Sequence, residues 1–187
     1  FDPDETIERW LTYRTYRTFT DWVGQLVFRY YSMPSKTGPV LQEDFEPPVL
    51  FGDGVILQGY RLGVQTSGRA QIVQLDLVWE ARTDLDEDYM VGARVVDGEG
   101  QVWGQTNSAP LGNFRPTSGW QPREIIQDHL GLSLWPGTPP GEYLVQTWMY
   151  RELDGARLPV SLGGGEASVD NVDLAEIHVE APQYPPD

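Results

Sequence analysis

The 187 residues contain no cysteine, which excludes disulfides and thiolate metal sites alike. Lysine is almost absent too: of thirteen cationic residues only Lys36 is lysine and the rest are arginine. No apolar run approaches the roughly 18 residues that would cross a bilayer as a helix. Positive charge is scarce overall, with 28 acidic residues against 13 basic ones and a formal net charge of −15. A field of that sign repels polyanions, so nucleic acid and anionic lipid surfaces are poor partners. The chain opens FDPDET, without an initiator methionine or a basic segment leading into an apolar one, and reads as a piece cut from a longer polypeptide.

Aromatic residues are plentiful. Seven Trp, nine Tyr and six Phe supply large core side chains, so the fold needs no covalent staple. A chain of this length favours one domain that buries roughly 70% of its unfolded surface.

The punctuation is that of an antiparallel β-sandwich. Arg123–Leu134 and Gly141–Arg151 are strand-like runs set among turn-rich connections at Pro110–Pro122, Pro136–Gly141 and Asp154-Gly155. Val73, Leu75, Leu77, Trp79 and Ala81 alternate with Gln74, Asp76, Val78, Glu80 and Arg82, which predicts a half-buried strand with a wet outer face. Val55–Gly63 is an earlier strand, with Tyr60 and Leu62 on one face. Tyr89–Val96 is expected to pair with Gln101–Thr106 through the hairpin loop Asp97–Gly100. Gly141–Arg151 and Ala156–Val160 read as a second hairpin around Asp154-Gly155. Asn171–Glu180 closes the fold with Ala175, Ile177 and Val179 inward.

At the start, Asp2, Pro3 and Glu5 form a capping-box pattern, and Ile7, Trp10 and Leu11 follow at helical spacing. This predicts a short helix ending near Arg17–Asp21, then a strand over Trp22–Met33 and a Pro-rich loop over Pro34–Pro48. The expected architecture is therefore all-β: a sandwich of about eight or nine strands, immunoglobulin-like or jelly-roll-like, with one short N-terminal helix. Residues 1–48 form the leading segment, 49–181 the sandwich and 182–187 a mobile tail.

Catalytic patterns are sparse. His178 falls on an outward face between two glutamates. Asp128 and His129 are neighbours in one strand, so their side chains point to opposite faces and form no direct dyad. Ser118 lies in a turn with no nucleophile-elbow pattern, and Gly163–Gly165 precedes no helix that could cradle phosphate. Glycoside hydrolysis needs two carboxyls about 5–10 Å apart, one of them in apolar surroundings. Glu124, Asp128 and Glu142 are the acids nearest to Trp and Tyr in sequence. Asp84, Asp86 and Asp88 alternate like the start of an oxygen-ligand loop, the one place where calcium is a candidate cofactor. The loop lacks both the turn glycine and the bidentate glutamate of an EF-hand. Asp170–Asp173 is a second acidic turn.

Binding has a better pattern. Trp79 and Trp148 sit in strands and read as core, whereas Trp103, Trp120 and Trp135 fall in or beside turns. An exposed indole face stacks on a sugar ring, and Asn107, Asn113, Gln121 or Asp128 would bond its hydroxyls. The alternative is that these tryptophans cover the open ends of the sandwich. Ligand candidates are thus Trp103, Asn107, Trp120, Asp128 and Trp135.

The order of several motifs resembles a known family. FGD (Phe51–Asp53), LQGYRL (Leu57–Leu62), LDLVWEA (Leu75–Ala81) and DYMVGARVVDGEGQVWGQ (Asp88–Gln105) are followed by RPTSGWQPREII, LWPGTPPGEYLVQTWMY, DGARLPV and VDLAEIHV. Together they look like the C-terminal β-sandwich tail of bacterial multi-spanning glycosyltransferases, of the dolichyl-phosphate-mannose or lipid-linked aminoarabinose type, notably in filamentous green bacteria. The resemblance covers about Phe51–Glu180. Asn107, Arg123 and Leu130 depart from that pattern, which has an acid, a glycine and an aromatic there. It implies an extracytoplasmic domain attached to a membrane-embedded parent, which carries the transferase chemistry. The expected partner is a glycan or the membrane portion of the same polypeptide. Two other functions stand beside it: a structural or protein-interaction module, and a stand-alone glycoside hydrolase.

Overall fold

Central to the molecule is the strand whose alternation was clearest, now β5 (Ala70–Ala81). The computed structural model describes residues 4–35, 40–67, 70–162, 165 and 169–181. Along β5, Val73, Leu75, Leu77, Trp79 and Ala81 are all fully buried on the inner face. On one side β5 pairs with β4 (Val55–Ser67), which pairs in turn with β3 (Val40–Phe51). On the other it pairs with β8 (Ile125–Ser133). The first hairpin, β1 (Tyr16–Val23) and β2 (Leu26–Ser32), extends the sheet beyond β8, and β10 (Val160–Leu162) flanks β3 at the far end.

The second sheet has four strands: β11 (Val172–Val179), β9 (Gly141–Arg151), β6 (Tyr89–Val96) and β7 (Val102–Ser108), in that order. Its inner side chains, among them Val91, Ala93, Val95, Val145 and Met149, are fully buried against the seven-stranded sheet. Among the described residues pairing is antiparallel except for a single parallel bridge, Arg17 with Leu130, that attaches β1 to β8. The fold is an all-β sandwich of eleven strands among the described residues, with one short helix, α1 (Thr6–Thr12).

The hairpin around Asp97–Gly100 forms as the sequence indicates, with Asp97 Oδ1 accepting from the amides of Glu99 and Gln101. The hairpin around Asp154-Gly155 begins with the Tyr150–Arg157 bridge. Its second arm then crosses to the other sheet, where Val160 pairs with Phe51. In β11, Ile177 and Val179 are buried while Glu176, His178 and Glu180 face out, and Ala175 sits half-buried beside a register shift.

Four expectations are corrected. The helix ends at Thr12, five or more residues early, because Thr15 bonds back to the Leu11 carbonyl (2.7 Å) and the β-branched and aromatic run from Tyr16 enters the sheet. Its N-cap is Glu5 in a left-handed conformation with no side-chain cap, and Asp2 and Pro3 lie outside the described residues. The strand expected over Trp22–Met33 is instead the end of β1, a turn through Gly24 at φ 64°, and β2. Most of the Pro34–Pro48 segment is strand β3, so a boundary at 48/49 falls inside a strand. Pro47 and Pro48 are tolerated because they sit in the irregularity between Asp44 and Val49, where ladder pairing with β4 lapses.

The outer face of β5 is also drier than alternation implies. Gln74 and Asp76 are 5% and 3% exposed. The Gln74 amide is held by Ser32, the Met33 carbonyl and Gln65 and accepts from the Ser35 amide, so the chain leaving β2 lies across β5. Asp76 pairs across the strand with His129 on β8 (2.7 Å). Two of the residues singled out as Gly163–Gly165, and the tail from 182, lie outside the described residues.

Candidate functional site

Trp135 is placed by its backbone. As the chain leaves β8, the Trp135 amide donates to the Trp103 carbonyl (2.8 Å), and the Trp135 carbonyl accepts from both the amide and hydroxyl of Thr138. The turn that follows passes through Gly137 at φ 90°. With its main chain held on both sides, the indole stays 48% exposed. It faces a cleft of about 540 Å³ at the side seam of the sandwich, where β1 of the large sheet meets β7, the edge of the small one. β7 contributes Gln105, Thr106 and Asn107; β1 contributes Arg17, Thr18, Phe19 and Thr20.

The cleft therefore offers two aromatic surfaces, Trp135 and the 55% exposed Phe19, together with two carboxamides, three threonines and Arg17. No carboxylate lines it among the described residues. Its volume is in the range of small-ligand sites, and amides and hydroxyls around an aromatic platform suit a polyhydroxylated ring. A larger cleft, about 800 Å³, opens between β4 and β11 beside Leu62, Gln65, Glu176 and His178, but no Trp, Tyr or Phe lines it among the described residues.

Of the five ligand candidates, the structure brings together Trp135 and Asn107 and separates the other three. Trp103 is half-buried against the core; its Nε1 donates to Asp97 Oδ2 (2.8 Å) and its ring meets Tyr143 edge-on. That hydrogen bond, with three backbone amides beside it, holds the Asp97 carboxyl below its ordinary range. Trp120 is 1% exposed and its Nε1 donates to the Arg115 carbonyl (2.9 Å), so it shows no face to a ligand. A turn residue was buried here because the Pro110–Trp120 connection folds inward over the end of the core.

Asp128 is buried at 1% exposure. Its Oδ1 accepts from the Leu111 amide (2.9 Å) and pins a turn in which Leu111 and Asn113 both adopt positive φ. Burial pushes its pKa up to about 6, because the ionised form loses hydration that the Leu111 and His129 amides do not replace. Asp128 and His129 do point to opposite faces: His129 bonds Asp76 beside Tyr16, whose hydroxyl burial and the Asp76 charge push well up.

Asp84, Asp86 and Asp88 do not converge. Asp84 and Asp86 are exposed, and Asp88 accepts from the Ser118 amide (3.0 Å). Among the described residues no group of three or more His, Asp or Glu side chains is arranged to hold a metal ion. Glu142 pairs with His178 on the open surface (2.6 Å), and Glu124 pairs with Arg115 (2.5 Å), which holds the glutamate low.

The β1 side of the cleft was invisible to the sequence reading, because Arg17–Thr20 fell inside the expected helix end. The signal that could have found it is the run Tyr16–Thr20, in which every residue but Arg17 is β-branched or aromatic. The Asp76–His129 pair had no local signal; only the β5–β8 register reveals it.

No protein-family model matches this chain, and no curated protein matches it in sequence. Among solved structures, a β-glucuronidase from glycoside hydrolase family 2 superposes with a TM-score of 0.40 at 7% identity, covering 55% of this chain and 10% of that one. The C-terminal domain of Wzt gives 0.42 at 12% identity, covering 71% and 81% of the two chains. The ApaA protein of Bordetella pertussis gives 0.31 at 14% identity, covering 81% and 100%. This chain spans about a tenth of the length of that β-glucuronidase. At TM-scores below 0.5 none of the three bears on ligand or activity, and the sandwich assignment rests on the two sheets themselves.

Proposed function

We propose that this chain is a non-catalytic saccharide-binding β-sandwich, the extracytoplasmic accessory domain of a membrane glycosyltransferase. The observation that carries the binding half is the half-exposed Trp135 indole beside Asn107, Gln105 and the threonines of β1 in one cleft. A pyranose ring lays its C–H face on the indole and turns its hydroxyls toward amides and hydroxyls that lack a competing carboxylate. The membrane half is supported by the motif order of Phe51–Glu180; no helix among the described residues is long and apolar enough to cross a membrane.

Glycan-array screening followed by tryptophan fluorescence titration tests the binding half. Trp135→Ala is expected to weaken any hit at least tenfold, since it removes both ring stacking, on the order of 0.5–1.5 kcal/mol, and the apolar area buried beneath the sugar, and Asn107→Ala several-fold. Hits that survive both substitutions would move the site elsewhere. The coding sequence upstream of Phe1 tests the parent: a run of membrane spans supports it, and a signal peptide sinks it.

A second reading rests on the β1–β2 hairpin, where Trp22, Val23, Leu26 and Tyr30 are each more than half exposed. It makes the chain an interaction module that docks on the membrane portion of the same polypeptide. Under this reading a Trp22→Ser, Leu26→Ser double variant abolishes association with the coexpressed membrane portion and leaves saccharide binding untouched.

A further inference from the structure

The described residues include five half-buried arginines, and four of them are paired. Arg94 donates to Gln146 (2.7 Å), Arg115 to Glu124 (2.5 Å), Arg151 to Asp154 (3.1 Å) and Arg157 to Asp170 (3.2 Å). The fifth, Arg17, has no ion pair and no side-chain hydrogen bond with any described residue. It stands between the Trp135 cleft and a small polar cavity beside Thr12, Thr15, Ser108 and His129. Its guanidinium lies against Gly112, where a Cβ would come within 3.6 Å of Nη1. A guanidinium carries five fixed donors, and no Arg17 nitrogen is among the fully buried atoms left without a partner, so its free donors are open to an incoming acceptor.

The surrounding acids are committed elsewhere. Asp128 senses the Arg17 charge, but its Oδ1 is held by the Leu111 amide. Asp76 is bound to His129, and Asp21, further along β1, accepts from the Trp22 amide. The cleft itself is lined by neutral donors and acceptors apart from Arg17. From this arrangement we infer that the cleft takes an anionic saccharide, whose oxyanion Arg17 holds while Trp135 stacks on the ring. The inference rests on the saccharide reading above and narrows it to sugars bearing a carboxylate, sulfate or phosphate ester. The net charge of −15 is compatible with this, because at physiological salt a charge beyond about 8 Å is largely screened and a single sugar oxyanion meets Arg17 first.

The test is an array of matched pairs: uronate oligosaccharides with their methyl esters, and sulfated or phosphorylated sugars with their unsubstituted parents. For the preferred sugar the charged member is expected to bind the wild type roughly tenfold or more tighter than its neutral partner. Arg17→Gln should bring the charged member down toward the neutral one and so remove most of the ratio between them. Arg17→Lys should retain part of the preference, since a point charge replaces the two-pronged fork. The uronate and ester arms decide which oxyanion is read. Equal binding of both members, still abolished by Trp135→Ala, overturns the inference and leaves the saccharide reading standing. An array silent in every arm overturns both.

Discussion

Trp79, Trp120 and Trp148 are at most 4% exposed, whereas Trp22 and Trp135 are 68% and 48% exposed. The first group is packed into the interior. Trp79 meets Phe51 edge-on, Trp120 donates to the Arg115 carbonyl, and Trp148 lies over Gly92 with Arg157 stacked on its ring. The second group sits where one sheet outruns the other. Seven strands face four, and the β1–β2 end of the larger sheet has helix α1 beside it, through the Arg29–Glu8 pair, while Phe19, Trp22, Leu26 and Tyr30 remain in solvent. Whether an aromatic residue is core or surface is decided here by the reach of the second sheet, not by whether it lies in a strand or a turn.

The largest effect that would break this division is in stability. Trp120→Ala removes a fully buried side chain from the end of the core and should cost about 3–5 kcal/mol in urea unfolding, with loss of the Arg115 hydrogen bond included. Trp22→Ala should stay within about 0.5 kcal/mol of wild type. Equal costs would mean that the hairpin is covered in solution.

The same division explains what could be read in the sequence. β5 and the β6–β7 hairpin were legible because period-two alternation and the Asp97–Gly100 loop are local signals, and the structure gives them the expected partners. Trp79 and Trp148 were legible as core for the same reason. Trp120 was not, since nothing local says that the Pro110–Trp120 connection folds inward. β3 was hidden by its prolines, and β1 by a helix whose last turn runs straight into it. Half of the cleft, Trp135 and Asn107, came from residue type; the other half required knowing that β1 lies next to β8.

Buried polar groups sharpen the contrast next. Asp128 keeps its proton in the fold up to about pH 6, while the unfolded chain releases it near 3.8. With the folded value raised, stability from this group is fully present below pH 4 and is lost as pH rises through 6. The loss is roughly 3 kcal/mol for a shift of about two units. Asp97 and Glu124, held low, contribute in the opposite sense and lose stability on acidification. The informative quantity is therefore the wild-type curve minus that of Asp128→Asn, from urea melts between pH 4 and 7. A flat difference would place Asp128 in contact with solvent.

The junction between the two regions should respond with a smaller, local effect. A Cβ at Gly131 would lie 2.9 Å from the Arg17 carbonyl oxygen and 2.8 Å from Thr18 Cγ2, so β1 can lie beside β8 only over glycine. Gly131→Ala is expected to cost about 1–3 kcal/mol. Amide exchange should rise in β1 and β2 while β5, β6 and β9 keep their protection. Uniform acceleration across both sheets would show that the hairpin is integral to the sandwich.

Trp135→Ala should produce only a small change in stability, and for that reason it separates structure from function most cleanly. The indole is half exposed, and the hydrogen bonds that fix the residue come from its backbone, to Trp103 and Thr138, so alanine preserves them. Removing partly exposed apolar surface costs on the order of 1 kcal/mol or less. A tryptophan kept for packing would show its main loss in the melt, with saccharide affinity moving in proportion. A tryptophan kept as a platform shows the reverse, an unfolding midpoint almost unmoved and titration reduced at least tenfold. Because Phe19 lies across the same cleft, Phe19→Ala gives an internal control, with a partial loss of affinity and again little change in the melt.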